Sequence, residues 1–389
     1  MTEVRVGFVA TADCAPVIAA ALLGFDRRHG VRILLSRESS WAGLRDKLIA
    51  GDLDAAHLPY GLVYGAHMGI DGCRADMAVL MALSRNGQGI ALSSRLKAQG
   101  VSDGATLARQ VENGWRDHVF AHTGASGTQA MWLYYWLAAH GIHPLRDVRT
   151  IVVPPALMVA NLRAGTMDGF CAGDPWSARA VADGVGCTVA TSEDIWPDHP
   201  EKVLGCTAAF VRERPDVALA LLTAVLDAAR HVDDPAHQAE VVRLISGKAC
   251  LDVSEQCLLV RAPVPGRRGR ARLRFFNDGE TCFPYLSDGM WFLTQQRRWG
   301  LLRHEPDYLA VAGAINQVGL YREAATQLGV PLPSDSLRSS RLIDGGIWDG
   351  RHPEAYAAGF AITAASETGR APRNWAPDMA GMGKVGQSC

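Results

Sequence analysis

The sequence predicts an α/β protein in which mostly parallel sheets are flanked by helices. Over the first two hundred residues, short apolar runs alternate with runs of helical periodicity, and glycines follow many of these runs. Strands that alternate with helices are typical of parallel sheets covered on both faces. After Cys206 the pattern becomes mainly helical. We therefore expect the late helices to pack back onto a sheet formed earlier in the chain.

The individual elements follow from apolar spacing and from stop signals such as Gly30 and Gly51. The predicted strands are residues 4–10, 31–35, 54–58, 78–83, 89–93, 118–122, 150–153 and 169–171. The predicted helices are residues 15–28, 41–50, 105–113, 129–139, 157–163, 177–182, 216–232, 236–245, 290–298 and 307–328.

Length, composition and charge exclude several classes of protein. The 389 residues carry 39 Lys and Arg against 40 Asp and Glu, so no general basic field is available for nucleic-acid backbones. No apolar run approaches the 18 residues that indicate a membrane-spanning helix. The nine scattered cysteines lack a C-x-x-C pair, and the first ten residues read as a strand and not as a signal peptide. These features predict a cytoplasmic protein with reduced thiols.

Two segments differ in composition from the rest of the chain. Residues 261–274 are rich in arginine, which indicates either a solvated loop or a docking patch for an acidic partner or nucleic acid. The balanced total charge favours the loop. Residues 366–389 are rich in Gly, Pro, Ala and Met, and we expect them to form a tail.

The common catalytic signatures are missing from the sequence. There is no G-x-G-x-x-G after the first strand, no G-x-x-x-x-G-K-[ST], no H-E-x-x-H, no G-x-S-x-G and no zinc-type spacing of Cys and His. In a doubly wound fold, ligands bind at the carboxyl ends of strands, so the loops there hold the candidate residues. Residues 124–128, which precede a strongly patterned helix, form either an ordinary cap or an anion-binding turn.

Three further side chains have both a structural and a binding interpretation. Trp41 opens a helix and either anchors the core or presents its indole N–H to a cleft. Gln88 lies between glycines and is either a turn residue or a donor of two N–H groups. Lys202 lies in a polar stretch and either faces solvent or neutralises an anion. Together they supply N–H donors and one cation without a nucleophile–base pair, which favours binding an oxyanion over transforming it. We expect neither a cofactor nor a metal.

Longer stretches resemble the nitrate-binding family of solute-binding proteins, which serve ABC transporters of nitrate, nitrite and bicarbonate. The resemblance is carried by S-W-A-G-L-R-D-K-L (40–48), N-G-Q-G-I (86–90), L-Y-Y-W-L-A-A-H-G-I (133–142), the segment M-V-A-N-L-R-A-G-T-M-D-G-F-C-A-G-D-P-W (158–176) and D-I-W-P-D-H-P-E-K-V-L-G (194–205). It extends over about residues 1–300. It implies a two-lobe periplasmic-binding-protein type II fold with a hinge, lobe 1 being residues 1–90 and 207–365 and lobe 2 residues 91–206.

The resemblance also implies the residues of an anion site. They are Trp41, the backbone of Gly43, Gln88, Gln129 and Lys202. Relatives usually have a histidine where this chain has Gln129. A neutral amide donates a hydrogen bond to an anion but cannot gain charge at low pH, so the sequence leaves nitrate, nitrite and bicarbonate open as ligands.

The absence of an export signal directs the physiological interpretation. It makes the chain similar to the cytoplasmic NasS-type nitrate/nitrite sensors, which release the RNA-binding antiterminator NasT when the anion binds. The resemblance thus implies a non-enzymatic sensor with a NasT-type partner. The alternatives are the solute-binding component of an ABC importer and an enzyme of small-molecule metabolism on a similar fold.

Overall fold

A computed structural model describes residues 1–72, 74–114, 117–259 and 273–366. The strands are β1 (Thr2–Val9), β2 (Val31–Glu38), β3 (Ala55–Pro59), β4 (Met77–Ala82), β5 (Gln88–Ser93), β6 (Val119–His122), β7 (Arg149–Val152), β8 (Gly169–Gly173), β9 (Gly186–Thr191), β10 (Lys202–Thr207), β11 (Ser340–Arg341) and β12 (Ile347–Trp348). They form two five-stranded sheets, with orders β2-β1-β3-β10-β4 and β7-β6-β8-β5-β9, and the short pair β11-β12.

The helices of the first two hundred residues join these strands. They are α1 (Ala15–Leu22), α2 (Phe25–Arg28), α3 (Trp41–Ala50), α4 (Tyr60–His67), α5 (Ser94–Ala98), α6 (Gly104–Glu112), α7 (Thr128–Ala139), α8 (Met158–Ala164), α9 (Trp176–Ala182) and α10 (Ser192–Ile195). The later helices are α11 (Ala208–Glu213), α12 (Pro215–Asp233), α13 (Gln238–Ser246), α14 (Glu255–Leu259), α15 (Leu286–Arg298), α16 (Tyr308–Ile315), α17 (Val318–Gln327) and α18 (Pro353–Ala358).

The predicted α/β class with mostly parallel sheets is confirmed. In each sheet four strands run in one direction, and the fifth, β10 in the first sheet and β5 in the second, is antiparallel to both of its neighbours. Each reversed strand is the one that enters from the other sheet. The chain therefore crosses twice, between β4 and β5 and between β9 and β10, and Ile90 and Cys206 lie inside the entering strands.

The late helices pack on both sheets. Helix α12 packs against α1 and α2 on the first sheet, where its buried face includes Leu221, Leu222 and Val225. Helix α15 contacts α4 of the first sheet and also α7 of the second. The largest hydrophobic cluster accordingly contains Trp41 from one side and Trp132 from the other. The segment after Cys206 thus holds the two sheets together.

Two predicted helices are each divided in the structure, and the reasons are local. The helix predicted over 15–28 breaks at Gly24, whose φ of 81° is accessible to glycine at little cost. The helix predicted over 307–328 breaks at Asn316, whose amide donates to Tyr60 and accepts from Tyr64. Tertiary hydrogen bonds there replace helix continuation.

Several elements and segments lie outside the sequence predictions. Helix α4 and strands β9 and β10 have no counterpart among the predicted elements. Residues 261–272 of the arginine-rich segment and residues 367–389 of the predicted tail lie outside the described residues. None of the helices within the described ranges combines the length and the apolar character needed to cross a bilayer.

Candidate functional site

A buried group of polar side chains lies where the two sheets meet, and we call it the seam cluster. Asp13, Trp41 and Lys202 come from elements of the first sheet, and Gln88 and Gln129 from elements of the second. The cluster also includes His57 of β3 and Glu201, which directly precedes β10. Each of these side chains belongs to a residue that is at most 3% exposed. The seam cluster is therefore enclosed in this conformation.

Lys202 lies at the centre of the cluster and not in a solvated loop. It is the first residue of β10, a strand flanked by β3 and β4, so its side chain is buried. Its Nζ donates to Asp13 Oδ2 at 2.9 Å and to Glu201 Oε1 at 2.7 Å. The same atom lies 5.3 Å from the centre of the Trp41 ring, within cation–π range. The solvent-facing alternative for Lys202 is therefore wrong.

The charged neighbours of Lys202 have perturbed pKa values. Burial acts to raise the pKa of Asp13, but Lys202 and a hydrogen bond from His57, 3.0 Å away, lower this pKa well below its usual range. Burial lowers the pKa of His57, so this imidazole is neutral near pH 7. Burial also acts to lower the pKa of Lys202, but Asp13 and Glu201 raise it more, so the ammonium persists. Asp13 and Lys202 are thus a stable ion pair.

Glu201 behaves differently from Asp13. Burial raises its pKa to about 7, against the opposing effect of Lys202. Its Oε2 accepts from the Trp132 indole at 2.8 Å, and Oε1 accepts from Gln129 at 2.9 Å. When Glu201 is ionised, the cluster has two carboxylates and one ammonium. When it is protonated, the cluster is neutral, so this residue sets the net charge of the site near neutral pH.

Two buried N–H donors in the cluster have no hydrogen-bond partner among the described residues. They are Nε1 of Trp41 and Nε2 of Gln88. Leaving a buried donor unsatisfied costs about 1–3 kcal/mol, so a pair of them beside an ammonium indicates a place for a ligand acceptor. Gly173 faces Gln88, and a Cβ at this glycine would lie 3.2 Å from Gln88 Oε1. The missing side chain leaves room for the amide.

The other two predicted contacts are already engaged in this conformation. Nε2 of Gln129 donates to Gln88 Oε1 at 3.0 Å as well as to Glu201, and its Oε1 accepts from Thr123. Gln129 therefore orients the Gln88 amide. It occupies the amide oxygen and leaves the NH2 group of Gln88 available to a ligand. The backbone N–H of Gly43 donates to the Ser40 hydroxyl, which caps α3. Direct contacts of Gln129 and Gly43 with an anion remain predictions.

The structure thus brings together Trp41, Gln88, Gln129 and Lys202, with Gly43 in the first turn of the helix that Trp41 begins. Sequence reasoning missed Asp13, His57, Glu201 and Trp132. Asp13 was detectable, because a lone carboxylate follows the apolar first strand at its carboxyl end. Glu201 precedes Lys202 in the D-H-P-E-K segment, but no spacing rule distinguishes a buried glutamate from an exposed one.

The fold and the buried seam define a two-lobed solute-binding protein of the periplasmic-binding-protein type. The crystal structure of the periplasmic nitrate-binding protein NrtA from Synechocystis PCC 6803 matches with a TM-score of 0.88 at 34% identity, covering 93% of this chain and 99% of that one. A more distant match, the alkanesulfonate-binding protein SsuA from Xanthomonas axonopodis (TM-score 0.59, 14% identity, covering 81% and 98% of the two chains), shares the fold.

Sequence comparisons agree with this class. The model of the NMT1-like family matches residues 1–246, and the chain belongs to that family. The nitrate/nitrite binding protein NrtA of Synechocystis sp. is 35% identical over 382 residues, covering 93% of this chain and 85% of the relative. The bicarbonate-binding protein CmpA of Synechococcus sp. is 31% identical over 393 residues, covering 92% and 86%.

Proposed function

We propose that this protein binds nitrate or nitrite reversibly at the seam cluster and does not transform it. The observation that carries the proposal is the pair of unpartnered buried donors, on Trp41 beside the Lys202 ammonium and on Gln88, which is linked to Lys202 through Gln129 and Glu201. The similarity to nitrate/nitrite binding proteins supports the same ligand. A planar monovalent anion accepts N–H groups from several directions and needs one cation nearby to offset the cost of its burial.

The affinity expected from these contacts is moderate. Hydrogen bonds to a charged group contribute about 1.5–3 kcal/mol each, so three or four of them support a Kd near micromolar once ordering costs are subtracted.

The burial of the seam cluster determines how the ligand enters. Because every cluster residue is at most 3% exposed, entry requires the lobes to separate. Separation would break the bonds that Gln129 and Trp132 make to Glu201 across the seam, and closure would restore them.

A thermal-shift panel of nitrate, nitrite, bicarbonate, sulfate and chloride on the purified protein tests the proposal. A ligand present at 100 times its Kd stabilises the folded state by about 2.7 kcal/mol. We expect such stabilisation by nitrate or nitrite and none by sulfate, because one ammonium, Lys202, is present among the seam residues and does not offset the burial of two negative charges. A shift with bicarbonate alone would contradict the nitrate assignment, and no shift with any anion would contradict the site.

The physiological role has two candidates. The relatives' names, which include a nitrate import ATP-binding protein, support a component of an ABC importer for nitrate or nitrite. The NasS-type sensor, its cytoplasmic location and its NasT-type partner are further predictions that rest on the sequence resemblance alone. Calorimetric titration of nitrate with and without such a partner separates the roles. A sensor must show a changed nitrate affinity, because coupling between two ligands is reciprocal. Equal nitrate affinities with and without the partner would contradict the sensor role and leave the importer role.

A further inference from the structure

A second group of ligating side chains lies on the outer helices, away from the seam residues. His231 is in the last turn of α12, His237 ends the short 3-10 turn after it, and Glu240 is in the first turn of α13. We call these three residues the helix-end triad. Their candidate ligand atoms all lie within 4.8 Å of one another. The triad borders a surface recess of about 500 Å³, which is open to solvent-borne ions.

The distances within the triad fit a small transition-metal ion. Nε2 of His231 lies 3.0 Å from Glu240 Oε2, and Nδ1 of His237 lies 3.7 Å from the same oxygen. Zinc bonds of about 2.0–2.1 Å in tetrahedral geometry separate neighbouring ligand atoms by about 3.3–3.4 Å. The two observed separations lie on either side of that value. The third separation, between the two imidazole nitrogens, is within 4.8 Å, so rotation of the histidine side chains would bring the three atoms to ligand spacing.

The two imidazole rings lie side by side, and one of them must rotate for both to bind one ion. They are stacked, with centroids 3.7 Å apart and planes 21° apart, so a bound ion requires a change of side-chain rotamer in at least one of them. The far nitrogen of His237, Nε2, lies 3.9 Å from Asp234 Oδ2. A carboxylate behind a ligating histidine orients the ring and raises its basicity, which is the usual outer shell of a metal site.

The electrostatic setting also favours a cation. The triad lies at the carboxyl end of the 19-residue helix α12, where the helix dipole is negative. The nearest guanidinium on that helix, Arg230, is held 2.6 Å from Asp227 Oδ1, and Asp227 also accepts from His29. Arg28 lines the same recess, with its guanidinium 4.5 Å from the centre of the Phe25 ring. Among the described residues, the ion-pair contacts of Glu240 are with the imidazoles of His231 and His237.

We propose that His231, His237 and Glu240 bind a divalent transition-metal ion of the zinc type. Two imidazoles and one carboxylate favour such an ion over Ca²⁺ or Mg²⁺, which prefer oxygen ligands. Three protein ligands leave a fourth position for water or for a group from a partner. The site is separate from the anion cluster and does not depend on the proposed nitrate function.

The test is a titration of Zn²⁺ into the full-length, chelator-treated protein, followed by calorimetry and by competition with a chromophoric chelator. We expect one equivalent to bind, with the affinity reduced at least 100-fold in His231→Ala and in His237→Ala. Asp234→Asn retains the oxygen that accepts from the Ala236 N–H but removes the charge behind His237, and we expect about 10-fold weaker binding. Mg²⁺ and Ca²⁺ should not compete.

The matched control is His304→Ala, because His304 is an exposed histidine outside the triad, and it should bind Zn²⁺ like the unchanged protein. Because cysteine thiols also bind zinc, Co²⁺ spectra provide an independent readout. Visible bands without thiolate charge transfer support the triad. Zinc binding that survives both histidine variants, thiolate bands with Co²⁺, or no binding by the unchanged protein would overturn the proposal. The nitrate-induced thermal shift should be the same in all variants.

Discussion

The seam cluster and the helix-end triad contain similar residues but differ in burial and in the charge they already contain. Both bring histidines and carboxylates within a few ångströms of one another. The seam cluster encloses an ammonium and two unpartnered N–H donors in a buried space, whereas the triad consists of two imidazoles and one carboxylate and is partly exposed. The comparison teaches that the kind of ligand follows from the groups left without a partner, N–H donors in the seam cluster and ligating nitrogen and oxygen atoms in the triad, and not from the residue types present.

The largest expected effect comes from removing the cation of the seam. Lys202→Ala leaves Asp13 buried without its ammonium, and breaking a buried ion pair from one side costs about 3–5 kcal/mol. We also expect nitrate-induced stabilisation to disappear, because no other ammonium or guanidinium hydrogen-bonds to the described seam residues. Thermal or denaturant unfolding with and without nitrate measures both effects.

Lys47→Ala is the control for this variant. Lys47 pairs with Glu38 at 2.8 Å, but its side chain is 47% exposed, so its loss should cost less than about 1 kcal/mol and leave the nitrate shift intact. A Lys202→Ala protein that keeps the full nitrate shift would remove Lys202 from the site.

The next expected effect is a pH dependence of nitrate binding at the seam cluster. Because burial raises the pKa of Glu201 to about 7, its protonated form is favoured in the folded state. The associated stability is fully present below the ordinary glutamate pKa and is lost as pH rises through about 7. A bound anion disfavours the ionised carboxylate further. We expect nitrate affinity to be flat below pH 7 and to fall up to about tenfold per pH unit above it.

Titration calorimetry from pH 5.5 to 8.5 on the unchanged protein and on Glu201→Gln measures this dependence. The other titratable neighbours of Glu201 should not titrate in this range. Asp13 and Lys202 hold their charges, and burial lowers the pKa of His199, whose Nδ1 lies 3.8 Å from Glu201 Oε2, to about 3. Glu201→Gln should therefore flatten the profile. An unchanged slope in that variant would assign the pH dependence to another group.

A smaller effect is expected from removing one donor while keeping the shape of the side chain. Trp41→Phe deletes the unpartnered indole N–H but retains an aromatic ring near Lys202, so nitrate affinity should fall about tenfold with little loss of stability. Trp299→Phe is the matched control, since Trp299 is equally buried and its Nε1 has no partner among the described residues. Equal nitrate affinity in the two variants would exclude the indole as a contact.

The smallest effect tests the space beside Gln88. In Gly173→Ala the new Cβ would lie 3.2–3.3 Å from the Gln88 amide atoms, so the amide must move by a few tenths of an ångström. We expect nitrate affinity to fall about two- to threefold, which is under 1 kcal/mol. Gly313→Ala meets nothing within 4 Å and should leave the affinity unchanged. A larger loss in Gly313→Ala than in Gly173→Ala would argue against this account.

The fold class could be predicted because the strand–helix alternation is local. The periodicity of residues 41–50 and the stop at Gly51 locate α3 correctly, since the Ser40 cap and the Gly51 turn act within a few residues. Strand β10 could not be found in this way. Lys202 is charged and Val203 is apolar, so their residue types do not indicate a buried strand. Both are buried because the chain crosses between the sheets at this point.

The same distinction applies to the site. Trp41, Gln88 and Lys202 could be selected as donors and a cation, but their proximity depends on residues 41, 88 and 202 being brought to one seam by two sheets. The pairing of Lys202 with Asp13, 189 positions away in the chain, has no local signal. The engaged state of Gln129 likewise depends on Thr123 and Glu201, so the sequence predicts its position but not its partners.

The tryptophans at the seam have an optical consequence. Trp132 stacks on Trp291 at 4.8 Å with an angle of 26°, and Trp196 adjoins the same ring at 5.2 Å, so these three indoles form a fixed group. Trp41 is the indole that lies beside the Lys202 ammonium. An anion bound beside Trp41 alters the electric field at that indole, and it also acts on Trp132 through Glu201, which accepts the Trp132 N–H. The emission spectrum of the protein therefore contains its own indicator of cleft occupancy, and Trp41→Phe should reduce the change caused by the anion while leaving most of the emission in place.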